Sequence, residues 1–120
     1  MSRSQVFFAA TLFCALLLSG CENSQQPKWE IVADNQSDSA CTVSLELAGG
    51  SYTEAKIDDL AAGKKRVVLS GVPKVIVRVV KIVHNGQSQA VKRNIEIPTG
   101  KRFLVLISAD GKLNTSLTDQ

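Results

Sequence analysis

From Lys28 onward, apolar and polar residues of this chain alternate with a period of two, the pattern of strands with one face buried and one face wet. Trp29, Ile31 and Ala33 alternate with Lys28, Glu30 and Asp34, which predicts a first strand ending at the turn cluster Asn35-Gln36-Ser37-Asp38. Cys41, Val43, Leu45 and Leu47 alternate with Thr42, Ser44 and Glu46, and Ala48-Gly49-Gly50-Ser51 closes this second strand. A weaker strand is expected over Tyr52–Ile57, followed by Asp58-Asp59-Leu60-Ala61-Ala62-Gly63 as a loop or single helical turn, and then a strand over Arg66–Leu69. The longest strand runs from Val75 to His84, turns at Asn85-Gly86 and returns over Gln87–Ile97. After Pro98-Thr99-Gly100, the segments Arg102–Ser108 and Lys112–Thr118 form a last hairpin over Asp110-Gly111. With short strands, regular turn signals and no amphipathic helical period, the expected fold is all-β, an antiparallel β-sandwich of about seven to eight strands.

The long hairpin contains one conflict. If Asn85 and Gly86 are the only loop residues, Arg78 lies opposite Arg93, and like charges directly opposite are destabilising. A four-residue loop, Asn85–Ser88, separates the arginines and pairs Ile76 with Ile97 and Ile82 with Val91, so the longer loop is the favoured expectation. The other reading of the same charges is functional: Arg78 and Arg93, with Lys81 and Lys92, are candidate anion-binding residues on a solvated face. Against it stands the common use of charged side chains on an edge strand to block edge-to-edge pairing.

The first twenty residues follow a different rule. One positive residue, Arg3, precedes an apolar run from Val6 to Leu18, interrupted only by Thr11, which is too short to span a bilayer and suits the h-region of a secretory signal peptide. The run ends in Leu18-Ser19-Gly20-Cys21, which resembles the lipobox of bacterial lipoprotein precursors. The resemblance implies cleavage between Gly20 and Cys21, lipidation of the Cys21 thiol, and attachment to a membrane through the N-terminal lipid. Two or more acyl chains hold firmly where one would not. Glu22, rather than Asp, follows the cysteine; under the sorting rule of enteric lipoproteins this favours the outer membrane, periplasmic face, over the inner membrane. The expected organisation is a signal peptide over residues 1–20, a short polar tether over 21–27 and a β-sandwich domain over 28–120. Such a tether reaches only about 20 Å, so the domain sits close to the lipid surface.

Charge and cysteine content narrow the function classes further. The formal charge of +3 falls to +2 once Arg3 leaves with the leader, too little to imply nucleic acid. Cys14 also leaves and Cys21 carries lipid, so Cys41 is the lone thiol of the mature protein; its phase with Val43 and Leu45 places it in the core as a small hydrophobe. His84, the single histidine, stands beside a hairpin turn, where a solvated loop residue is expected. One histidine and one buried cysteine make no zinc site. Asp34–Asp38 lacks the glycine and the final glutamate of a calcium loop. No serine lies in a G-x-S-x-G elbow, and Gly63-Lys64-Lys65 lacks the features of a phosphate loop. The expectation is therefore no enzyme, no metal and no cofactor.

The domain's strand pattern is similar to that of immunoglobulin-like and fibronectin type III-like sandwiches, without the Cys, Trp, Cys spacing of true immunoglobulin domains. The run Gly100–Val105 followed by Ala109–Lys112 is similar to the C-terminal hairpin of small uncharacterised lipoproteins. Neither resemblance carries an activity. Two expectations of function follow: a non-catalytic binding or structural module for an envelope protein or cell-surface polymer, and, as an alternative, a small-ligand or anion binder built on the basic residues around Arg78 and Arg93.

Overall fold

The computed structural model describes residues 27–120; the leader, the lipobox with Cys21 and the tether as far as Gln26 lie outside the described residues. The described part holds eight strands and no helix: β1 Trp29–Asn35, β2 Cys41–Ala48, β3 Glu54–Leu60, β4 Lys65–Gly71, β5 Ile76–His84, β6 Gln87–Glu96, β7 Lys101–Ile107 and β8 Leu113–Asp119. They form two four-stranded sheets, one in the order β4-β1-β7-β8 and the other in the order β3-β2-β5-β6. The all-β sandwich anticipated from the period-two pattern is thus present. All the strand pairs are antiparallel except one, since β1 runs parallel to β7 with Glu30 beside Arg102 and Ile31 beside Phe103. With β1 between β4 and β7, the strand order also differs from the ABED and CFG sheets of an immunoglobulin constant domain. What is shared with those domains is the two-layer architecture.

The core is the inward half of each alternating pattern. Trp29, Ile31 and Ala33 from β1, Cys41, Val43, Leu45 and Leu47 from β2, and Phe103, Val105 and Ile107 from β7 are all buried. Val77, Val80 and Ile82 complete the layer from β5. Burying a side chain of this size is worth roughly 1.5 to 3 kcal/mol, so the central strands β1, β2, β5 and β7 supply most of the stabilisation. The Trp29 indole N–H donates to the Pro73 carbonyl, which satisfies its polar atom inside the core. The face of sheet β4-β1-β7-β8 turned away from the core carries the ion pair of Arg102 with Glu30 at 2.6 Å.

Two expectations change. The Asp58-Asp59 segment is not a loop or helical turn but belongs to β3, where two residues oppose Thr42 and Asp59 takes a φ of 55°. This bulge lets Ile57 and Leu60, three apart, both reach the core. The long hairpin closes with the two-residue Asn85-Gly86 loop, at φ of 52° and 76°, rather than with four residues. His84 pairs with Gln87, Val83 with Ser88 and Ile82 with Gln89. The Arg78–Arg93 conflict is instead relieved by a bulge: Val79 pairs with Lys92 and Val77 with Ile95, so that Arg93 and Asn94 together oppose Arg78. Asn94 supplies the left-handed conformation, with a φ of 54°.

Candidate functional site

Among the described residues, polar side chains gather on the outer face of the β3-β2-β5-β6 sheet and at the end of the sandwich where the Asn85-Gly86 turn lies.

On the outer face, the bulge decides which of the four basic residues meet. Val79 and Lys92 form a cross-strand pair and therefore share a face, and Lys81 follows Val79 by two residues on the same side. Arg78, Val79, Lys92, Asn94 and Glu46 line one shallow depression of about 350 Å³. Val79, Lys81, Glu46, Ser44, Lys56 and Glu54 line a second, of about 290 Å³, so the two adjoin along Glu46 and Val79. Arg78, Lys81 and Lys92 are exposed and make no ion pair among the described residues. Arg93 does not join them. Its phase with Val91 and Gln89 carries it to the other side of β6, where its Nε donates to Thr115 Oγ1 on β8 at 2.6 Å, bridging the two sheets at their open edge. Three of the four residues singled out in the sequence thus flank one surface, and the fourth is a tie between β6 and β8. Lys56, which completes the basic rim of the second depression, gives no signal in the hairpin that drew attention to the others; only the β2–β3 pairing of Ser44 with Lys56 places it there.

The second gathering centres on Asn35, which is fully buried. Its Nδ2 group donates to the carbonyls of Ser39 and Leu60, each at 2.9 Å, and its Oδ1 accepts from the Ser37 backbone N–H at 3.0 Å and from the Ser37 hydroxyl at 2.6 Å. One amide thereby ties the β1–β2 loop to the end of β3. His84 is half-buried against this loop, not a solvated residue. Its Nε2 lies 3.0 Å from Ser37 Oγ and 2.9 Å from Ser39 Oγ. The ring rests on Gly111, where a Cβ would come within 2.9 Å of two ring atoms.

A serine beside a histidine invites comparison with an activated nucleophile, but the proton count opposes it. The Ser37 hydroxyl is surrounded by the Asn35 Oδ1 and Ser39 carbonyl acceptors, and Ser39 Oγ donates to Asn85 Oδ1 at 3.0 Å. With both hydroxyl protons committed, each serine oxygen can only accept from His84, which assigns the imidazole proton to Nε2. A general base needs that nitrogen free. Ser37 is also only 5% exposed. The arrangement latches three loops together and does not prepare a hydroxyl for attack.

Cys41 is buried and unpaired, next to His84 and Leu60 in the ladders. Burial pushes its thiol pKa up, the opposite of what a reactive cysteine needs. Among the described residues, no group of three or more His, Cys, Asp or Glu side chains is placed to hold a metal ion. No protein-family model, no curated protein and no solved structure matches this chain.

Proposed function

We propose that the protein is a lipid-anchored envelope β-sandwich, held to the periplasmic face of the outer membrane through Cys21, that works by contact and not by catalysis. Its partner is an envelope protein or cell-surface polymer. The observation that carries the contact reading is the outer face of the β3-β2-β5-β6 sheet, where Arg78, Lys81 and Lys92 stand exposed around Val79 without an ion-pair partner among the described residues. Surface charges left without a partner are available to one. The hydrogen-bonded cluster at Asn35 and His84, by contrast, already satisfies itself. The anchor rests on the lipobox and the short tether, which keep the domain near the lipid surface.

A second reading is favoured by the way the same three cations border adjoining depressions: a small anion, or the anionic groups of a polymer, occupies that surface. Glu46 and Glu54 on the same rim limit the affinity for a densely charged ligand. Crosslinking in intact cells separates the two. A protein captured by the anchored chain, and lost with Arg78→Glu, Lys81→Glu or Lys92→Glu, supports the protein contact. Retention of the purified chain on anionic polysaccharide, lost in the same variants, supports the anion reading. Capture that is indifferent to all three substitutions overturns this face as the contact surface. Cys21→Ala, in a version that keeps a cleavable leader, moves the protein from the membrane to the soluble fraction if the anchor is right.

A further inference from the structure

Each sheet of an open sandwich has two edge strands, and unpaired edges are ordinarily protected. Of the four edges formed by the described strands, three carry both a break in register and charge. In β3 the bulge falls at Asp58-Asp59, among Glu54 and Lys56. The register of β4 shifts against β1 between Ile31 and Val32, and β4 opens with Lys65 and Arg66. The bulge of β6 falls at Arg93-Asn94, next to Lys92. Strand β8 has no such break and little charge: it pairs with β7 through seven consecutive residues without a shift, and Leu113–Thr118 is uncharged, with Asp119 alone at its end.

The backbone groups of β8 that point outward can be named. The Ser108 N–H bonds the Lys112 carbonyl and the Gln120 N–H bonds the Gly100 carbonyl, so the even-numbered residues of β8 bond to β7 and the odd-numbered ones face away. Gln89 of β6 accepts from the Leu113 N–H at 3.0 Å, closing the first outward position. The outward N–H and C=O groups of Thr115, Leu117 and Asp119 have no partner among the described hydrogen bonds. Leu117, at their centre, is 42% exposed.

We infer that β8 pairs with β8 of a second copy of this chain, antiparallel about a two-fold axis through Leu117. This register uses all three outward residues and leaves the Gln89 bond intact. Leu117 meets Leu117 of the second copy, which removes an exposed apolar side chain from water in both. Thr115 meets Asp119 of the second copy. The charges then complement one another, since Arg93, which bonds Thr115, is brought beside that Asp119. Asp119 also pairs with its own Lys101, so its carboxylate lies between one cation of each copy and faces no other carboxylate. A foreign strand could use the same hydrogen bonds, but it would not by itself supply an arginine on one side matched to an aspartate on the other. The two four-stranded sheets become one of eight, and the outer faces bearing Arg78, Lys81 and Lys92 remain free. If the anchor is as proposed, confinement of both copies to one leaflet raises their effective concentration.

The test uses the full chain, solubilised in detergent and in cells. Sedimentation of the unsubstituted protein gives the mass of two copies, and Leu117→Lys, at an exposed position that leaves the fold unchanged by circular dichroism, weakens association at least about tenfold. In the two-fold register the Cα atoms of residue 117 lie about 5.5 Å apart, inside the window for a disulfide. Oxidation of Leu117→Cys in cells therefore yields a covalent dimer that neither the unsubstituted chain nor Ser116→Cys gives. A one-copy mass at every concentration, an unchanged dimer for Leu117→Lys, or a Leu117→Cys bond to a different protein overturns the inference.

Discussion

The Asn35 amide is the most heavily bonded side chain among the described residues, and its removal tests how the loops are held. Asn35→Ala removes the side-chain partner of the Leu60 carbonyl and of the Ser37 N–H in a buried site, at roughly 1 to 3 kcal/mol for each group stranded, while the Ser39 carbonyl keeps the Ser37 hydroxyl. Urea unfolding is expected to show a fall of at least about 2 kcal/mol. Gly111 serves the same junction differently. Its φ of 83° and the His84 ring in contact both exclude a Cβ, whereas Gly63, with a φ of 73°, has nothing within 4 Å of that position. Gly63→Ala therefore costs only the backbone term, about 1 to 2 kcal/mol, and Gly111→Ala costs more because the histidine must also move. Comparison of the two melting temperatures separates strain from clash. Cys41 adds a dependence on pH. Burial raises its folded pKa above the ordinary value of 9.0, so as pH rises through about 9 the unfolded chain loses a proton that the folded chain keeps. The stability it confers is complete below that pH and is lost above it. A urea midpoint that falls between pH 8 and pH 10 in the natural chain and falls less in Cys41→Ala is the expected result. At the acid end, Asp110, held down by the Ser108 hydroxyl, and Asp119, held down by its hydrogen bond and ion pair with Lys101, act in the opposite sense: their contributions are present above the ordinary carboxylate range and fade as pH falls through their lowered values.

Among the elements, the β5–β6 hairpin shows how a strand pair settles a conflict that its sequence states openly. The opposition of Arg78 and Arg93 is visible in the residues, and so is the strength of the Asn-Gly turn, but the two appear incompatible as long as register is taken to be uniform. A bulge with Asn94 at a φ of 54° keeps the turn and still parts the arginines. Asn is among the few residues that adopt this conformation readily. Asn94→Val is accordingly expected to cost about 1 to 2 kcal/mol in urea unfolding, and Asn94→Gly to be tolerated. The strand boundaries of β1, β2, β5 and β7 were legible to within a residue or two because each contributes a row of buried residues to the core, regular in β2 and β7 and broken in β5 only where Val77 and Val80 lie three apart. The β3 segment was not, because Asp58-Asp59 reads as a turn when the partner strand is unknown; the β2 ladder on one side and the Leu60 side chain in the core hold it extended. The basic surface was legible in the same partial way. Arg78, Lys81 and Lys92 were identifiable from the hairpin, and the departure of Arg93 follows from the phase change at the bulge.

For the whole molecule, one core shared by both sheets predicts one cooperative unfolding transition. Trp29, the single tryptophan, is 1% exposed and packs within that core, so its fluorescence and the far-ultraviolet circular dichroism are expected to change at the same urea concentration. Separate midpoints would mean that one sheet survives the other. The sequence by itself determined that the domain is all-β, which faces of its central strands are buried, that Cys41 lies in the core, and where the main turns fall. These depend on local alternation and on the conformational range of Asn and Gly, which neighbours in the chain are enough to express. The tertiary structure alone decided the parallel contact of β1 with β7, the assignment of strands to sheets, the bulges at Asp59 and Asn94, and the closed cluster of Asn35, Ser37 and His84. It also decided that β8 is an edge strand paired with β7 without a break in register. Each of these depends on which distant segment supplies the missing hydrogen bond, and a local pattern of apolar and polar residues carries no record of that partner.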